Sequence, residues 1–180
     1  NICSLYVNYM NSNKNDSISP EIRTLIGKLS KNCVDEALFG EILTTLVLMA
    51  DEHKDHGDYK LINKALKELR TSFKIFKPHR EVRKVALFGS ARVIESDPNY
   101  ELAQTLAKSL VENGFMIISG AGGGIMEAAN CGAGADNSFG LNIKLPHEQA
   151  ANSFIRDSVN LMEFKYFFTR KLVFIKESHA

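Results

Sequence analysis

The chain has 180 residues, 44% hydrophobic and 24% charged, with a formal net charge of +1. That length holds one full domain plus a smaller unit, and the composition is that of a folded globular protein. Near-neutrality excludes a global field that would draw the chain onto nucleic acid or an anionic membrane, so any anion must be held by a local site.

The three cysteines, Cys3, Cys33 and Cys131, form no C-x-x-C pair and read as reduced thiols. The longest apolar stretches, such as Ile42 to Ala50, are too short to span a bilayer. Asn1-Ile2-Cys3 lacks the start of a signal peptide, so a cytoplasmic protein is expected. The chain lacks an initiator Met and is expected to be a piece of a longer one.

Residues 11–20 are polar and turn-rich, a loop that ends in a Ser19-Pro20-Glu21 helix start. From Glu21 to Phe76 the pattern is helical. Leu38, Ile42, Leu43, Leu46 and Val47 share one face; so do Leu61, Ile62, Ala65, Leu66 and Leu69. A polar break at Asp51–Asp58 separates them, and Pro78 closes the region. The basic run His79-Arg80-Glu81-Val82-Arg83-Lys84 is the junction, so residues 1–80 read as a helical N-terminal region and 81–180 as a second domain.

Beyond the junction, short apolar runs alternate with amphipathic segments. Val85–Phe88 predicts a strand, Tyr100–Val111 a helix capped by Asn113-Gly114, and Phe115–Ile118 a second strand. Ile125–Asn130 predicts a helix, Gly140–Pro146 a third strand, Asn160–Phe164 a fourth, and Tyr166–Glu177 a last helix. This alternation predicts an α/β domain, a Rossmann-like three-layer parallel sheet preceded by the helical unit.

The strongest chemical signal is Gly120-Ala121-Gly122-Gly123-Gly124, between a strand and a helix. Glycines let backbone N–H groups approach an anion, and the helix N-terminus adds partial positive charge. The dinucleotide fingerprint fails, because Ile125 and Glu127 stand where its third glycine would be, and no Walker-A Lys-Ser/Thr follows. Gly89-Ser90-Ala91-Arg92 ends the first strand and is expected to border the same crevice, where Ser90 and Arg92 either contact phosphate or ribose or form a plain turn. Glu127 and Asn130 lie early in the following helix; Glu127 either complements its dipole or meets a ribose hydroxyl. Arg170-Lys171 sits in an otherwise apolar helix. His53-x-x-His56 has weak metal-like spacing and reads better as solvated surface, and His147 stands at a strand end.

Four motifs come in order. They are Val85–Arg92, Ile118–Asn130, Gly140–Pro146 and Phe164–Lys171. Together they resemble the LOG family, long labelled "possible lysine decarboxylase", over about residues 82–180. The resemblance implies hydrolysis of the N-glycosidic bond of a nucleoside 5′-monophosphate, AMP-like, giving free base and ribose 5-phosphate. It implies that Gly120, Gly122, Gly123 and Gly124, with Ile125, Met126 and Asn130, surround the 5′-phosphate. Gly89, Ser90 and Arg92 border the nucleotide, and Arg170, beside Lys171, is the active-site arginine. Glu127 is the candidate carboxylate for an oxocarbenium-like transition state. A homodimer is implied, with no metal, no organic cofactor, no nucleic acid and no membrane partner.

The family's second signature, Pro-Gly-Gly-x-Gly-Thr-x-x-Glu, carries its catalytic glutamate and is expected beyond Ala180; residues 1–180 alone are expected to bind phosphate weakly without turnover. The rival readings are a non-catalytic nucleotide- or molybdenum-cofactor-binding protein of the same fold, and a decarboxylase, which would need pyridoxal phosphate on a Schiff-base lysine.

Overall fold

A computed structural model describes residues 20–29, 35–52, 55–144 and 150–180. The chain divides into two compact units, residues 1–59 and 60–180.

In the first unit, α1 (Pro20–Leu29) packs on α2 (Glu36–Glu52). Asp35 starts α2 by accepting the Leu38 N–H at 2.9 Å, and Asp55 accepts the Gly57 N–H at 2.7 Å where α3 (His56–Phe76) begins. The polar break predicted at 51–58 is therefore narrower, since α2 continues through Glu52. Ser19 and His53 lie outside the described residues.

The second unit begins inside α3, not at residue 80. The physical reason is Glu68, whose carboxylate is buried and accepts the Lys165 N–H at 2.7 Å and the Thr169 hydroxyl. Four parallel strands follow: β1 (Lys84–Leu87), β2 (Met116–Ser119), β3 (Ser138–Ile143) and β4 (Leu161–Phe164), in the spatial order β1-β2-β3-β4. Ala86 pairs with Ile118, Ser119 with Gly140, and Leu141 with Met162. The crossovers contain α4 (Pro98–Glu112) and α5 (Ile125–Ala133), and α6 (Phe167–Glu177) follows β4.

Strand alternation sorts the core into two faces. Ile117 points to the side where Ala107 of α4 and Ala129 and Ala133 of α5 are buried. Met116 and Ile118 point to the other, with Phe139, Leu141 and Phe164, and are covered by Phe76 of α3 and by Val173 and Phe174 of α6. The result is the predicted three-layer Rossmann-like sandwich. Each fully buried side chain of this size contributes roughly 1.5–3 kcal/mol.

The helix ends follow local chemistry. Asp97 caps α4 by accepting the Asn99 N–H at 2.8 Å, Pro98 takes the first helical position, and Gly114 leaves the helix at φ +81°. Two strand boundaries differ from expectation. β1 starts at Lys84, assigned above to the basic junction, because its ammonium is satisfied by the His79 and Val82 carbonyls and can be buried. Phe88 lies past the strand and is 65% exposed. β3 starts at Ser138, whose hydroxyl is held by Gly134 and Asn130; Pro146 and His147 lie outside the described residues. The outer edge of β1 is contacted by the chain end, with His179 N–H donating to Lys84 O at 2.8 Å and Ala86 N–H to Ala180 O at 2.7 Å.

Candidate functional site

The glycine loop leaves β2 and enters α5 at the C-terminal ends of the strands, where open parallel sheets bind ligands. Beneath it lies a buried polar network. The Ser119 hydroxyl accepts the Ala121 N–H at 3.0 Å and donates to Asn130 Oδ1 at 2.7 Å. Asn130 Nδ2 donates to Ser138 Oγ at 3.1 Å. Asn152 Nδ2 donates to Asn130 Oδ1 and to the Gly122 carbonyl, both at 3.0 Å, while its backbone N–H donates to Ala121 O at 2.9 Å. Ala121, between those anchors, sits at φ +62°. A non-glycine residue there is strained and persists only where its surroundings over-determine it.

This network corrects one expectation. Asn130 is completely buried and its amide is engaged on both sides, so it braces the loop from below and does not reach a ligand. Asn152, which shares that task, was missed; nothing in its polar segment marks it.

The upper side of the loop is different. The N–H groups of Gly122, Gly123 and Gly124 take no partner among the described residues, and α5 points its N-terminus from the same place. Free amides and a helix N-terminus together favour an anion.

The Gly89–Arg92 turn is locked to this loop. The Ile125 N–H donates to Ser90 O at 3.1 Å. A Cβ on Gly124, which has φ +64°, would lie 2.2 Å from Ser90 O, and a Cβ on Gly89 would lie 2.5 Å from the Ile125 side chain. Ser90 Oγ accepts the Arg92 N–H at 3.2 Å, and Arg92 is exposed with no ion pair among the described residues. The two turns therefore pack directly against each other, and Ser90 and Arg92 belong to the turn so joined.

Arg170 reaches the crevice floor from α6. Its Nε donates to Leu141 O at 2.6 Å and its Nη2 to Gly120 O at 3.4 Å. Met126 packs under the loop, its sulfur 2.6 Å from where a Gly120 Cβ would be and its methyl 2.8 Å from a Gly122 Cβ. Arg170 also lies over the Phe174 ring at 5.4 Å and lines an apolar cleft of about 430 Å³ with Phe88, Phe167, Lys171 and Ile175. Lys171 is exposed at its rim.

Glu127 is one residue, or about 100°, around α5 from Met126. Its charge acts on Tyr100 of α4. Burial first, then Glu127, Cys131 and Glu95, push that phenol up to about 12. The structure thus relates Glu127 to Tyr100 of α4.

Residues 82–178 match the SLOG cluster4 family. The chain belongs to that family. The SLOG superfamily includes the LOG family and nucleotide-processing enzymes, so the LOG-like resemblance stands and the SLOG cluster4 domain is nucleotide-related. The match takes in both turns of the crevice, Arg170 and Lys171. No curated protein matches the chain. Among the described residues no helix is long and apolar enough to cross a membrane, and no His/Cys/Asp/Glu group is arranged to hold a metal ion.

Proposed function

We propose that the crevice binds a nucleoside 5′-monophosphate, with the 5′-phosphate on the glycine loop, and that the reaction it serves is cleavage of the N-glycosidic bond to free base and ribose 5-phosphate. The observation that carries this reading is the row of N–H groups at Gly122, Gly123 and Gly124 that take no partner among the described residues, at the α5 N-terminus and with Arg170 donating to Gly120 O. This reading assigns Ser90 and Arg92, on the turn packed against the loop, to the ribose or the phosphate edge. Arg170, held by two carbonyls, supplies fixed positive charge that needs no reorganisation when charge shifts in the transition state. Glu127 is the carboxylate offered by the first turn of α5.

The homodimer implied by the resemblance is supported by the large apolar side chains Phe167, Phe168, Leu172 and Ile175 that α6 leaves exposed.

A second reading is nucleotide binding without turnover. It is favoured by Glu127 lying near Tyr100, which leaves the ribose side of the crevice without an established carboxylate. The two separate on one experiment: a panel of nucleoside 5′-monophosphates offered to the full-length gene product, with free base and ribose 5-phosphate measured. Release from any member establishes the glycosidase. Binding by calorimetry with no release establishes the binder, and neither binding nor release removes both.

A further inference from the structure

A second charged cleft lies at the opposite end of the sheet from the glycine loop. It forms where the end of α3, the turn through Lys77–Arg80, the first residue of β1 and the end of α6 converge. Its volume is about 470 Å³, within the range of small-molecule sites.

The lining is strongly unbalanced in charge. Lys77, Arg80, Lys84 and Lys176 face it, against one carboxylate, Glu177. Glu177 pairs with Lys176. Lys77 and Arg80 are exposed and make no ion pair among the described residues. Lys84 is 1% exposed at the base of the cleft, and its ammonium donates to His79 O at 2.6 Å and Val82 O at 2.8 Å. An ammonium has three donors, so these carbonyls use two. His179 Nδ1 accepts the Lys84 N–H at 3.2 Å, which places the proton of the neutral ring on Nε2 as a further donor.

Helix polarity does not account for this cluster. Cations near helix C-termini gain about 0.3–1 kcal/mol on the surface, which rationalises Lys176 near the end of α6. Lys84 is on a strand, and burying an ammonium is costly unless it is paired. Burial holds its ammonium below the ordinary lysine range, an effect that Glu177 opposes and Lys176 adds to. An anion in the cleft would relieve that cost and neutralise Lys77 and Arg80.

We propose that this cleft is a second anion site, built for the di- or triphosphate group of a small phosphorylated ligand. A di- or triphosphate offers more anionic oxygens than a single phosphate to a cleft lined by Lys77, Arg80, Lys84 and Lys176. An extended polyanion such as RNA is disfavoured, because the charge is confined to one cleft in a chain of net charge +1.

The test uses the full 180-residue chain, titrated with pyrophosphate, tripolyphosphate and inorganic phosphate while backbone amide shifts are followed by NMR. Saturable shifts are expected at Lys77, Arg80, Lys84 and His179, tighter for the two longer anions than for phosphate. The Lys77→Ala/Arg80→Ala double variant should bind at least tenfold more weakly with an unchanged melting temperature, since neither side chain has a protein partner to lose. A nucleoside triphosphate that matches tripolyphosphate identifies the phosphate chain as the whole ligand; tighter nucleotide binding adds a base contact to the same site. Shifts confined to Gly122–Gly124, or undiminished affinity in the double variant, overturn the proposal. So does preferential, steeply salt-dependent binding of a short RNA. Because the two sites are read by separate resonances, failure here leaves the glycine-loop reading untouched.

Discussion

Arg170 donates its Nε–H to the carbonyl of Leu141 at 2.6 Å, tying α6 to β3 across 29 residues of sequence. The same guanidinium reaches Gly120 O, at the mouth of the glycine loop. One side chain thus spans the ends of two neighbouring strands, and only a planar fork of donors does this. Arg170→Ala should cost about 1.5–3 kcal/mol, the range for a charge-assisted hydrogen bond, while the protein still folds. Turnover, or nucleotide affinity under the binder reading, should fall to near background. Arg170→Lys should not rescue it, because a lysine stem brings its donors to one nitrogen and does not reproduce the separated Nε and Nη2 donors of the guanidinium. Thermal melts alongside base release and calorimetry check this, and wild-type turnover in Arg170→Ala would remove the residue from the mechanism.

Gly124→Ala places a methyl 2.2 Å from Ser90 O at φ +64°. Steric overlap and backbone strain act together, so a loss of more than about 1–3 kcal/mol is expected. The Gly89–Arg92 turn must move away from the loop, and nucleotide affinity should drop even at temperatures where the variant stays folded.

Gly132→Ala provides the contrast. Its Cβ would lie 2.1 Å from Gln104 O, where α5 touches α4. The two helices must separate, at a cost of roughly 1–3 kcal/mol. The glycine loop is not touched, so nucleotide affinity of the folded fraction should be unchanged. Equal losses of affinity in both glycine variants would mean that the loop senses general loosening and has no specific geometry.

Tyr100 predicts an alkaline signature. Its folded-state pKa is raised to about 12, against about 10 for a free phenol. Between those values the folded state holds a proton that the unfolded chain has lost. Stability is therefore fully retained below pH 10 only with respect to this group's neutral form, and falls as pH rises from about 10 towards 12. Tyr100→Phe should flatten that fall in urea melts. Glu127→Gln removes one of the charges that raise the phenol, so its tyrosinate absorbance should appear at lower pH. If Glu127→Gln shifts that titration but spares turnover, its role is structural; if turnover collapses as well, it also serves the ribose.

Glu68 makes a stability prediction. Glu68→Leu strands the Lys165 N–H that its buried carboxylate accepts and leaves the Thr169 hydroxyl only the Tyr166 carbonyl. The expected loss is about 1–3 kcal/mol. Glu68→Gln, which keeps one acceptor, should lose less; the order of the two in denaturant melts is the check.

Apolar and glycine-rich features were legible in the sequence. Val85-Ala86-Leu87 and Met116-Ile117-Ile118 declare strands because both faces are covered, and the turn at 120–124 declares itself by composition. Arg170 was found through its motif, not its helix. Buried polar residues were not legible. Lys84 reads as part of the basic junction, and Asn152 and Glu68 are not singled out by the sequence. Each is buried only because a partner outside the apolar pattern satisfies it: the His79 and Val82 carbonyls, the glycine loop, the turn before α6. Periodicity reads the apolar stripe and cannot see such partners. The same blindness put the domain boundary at residue 80, after a helix that belongs to the sheet.

That helix carries a consequence for where this domain ends as a physical object. Family likeness begins at residue 82, yet Phe76 stacks on Phe139 with ring centroids 4.3 Å apart, and Ser72 and Glu68 are buried behind it. Homology and cooperativity therefore draw different boundaries. A polypeptide cut at residue 82 would keep every residue of the crevice, but one face of its sheet would lose α3 and be covered by α6 alone. It should recover its fold only when residues 60–81 are supplied, whether in the same chain or as a separate peptide.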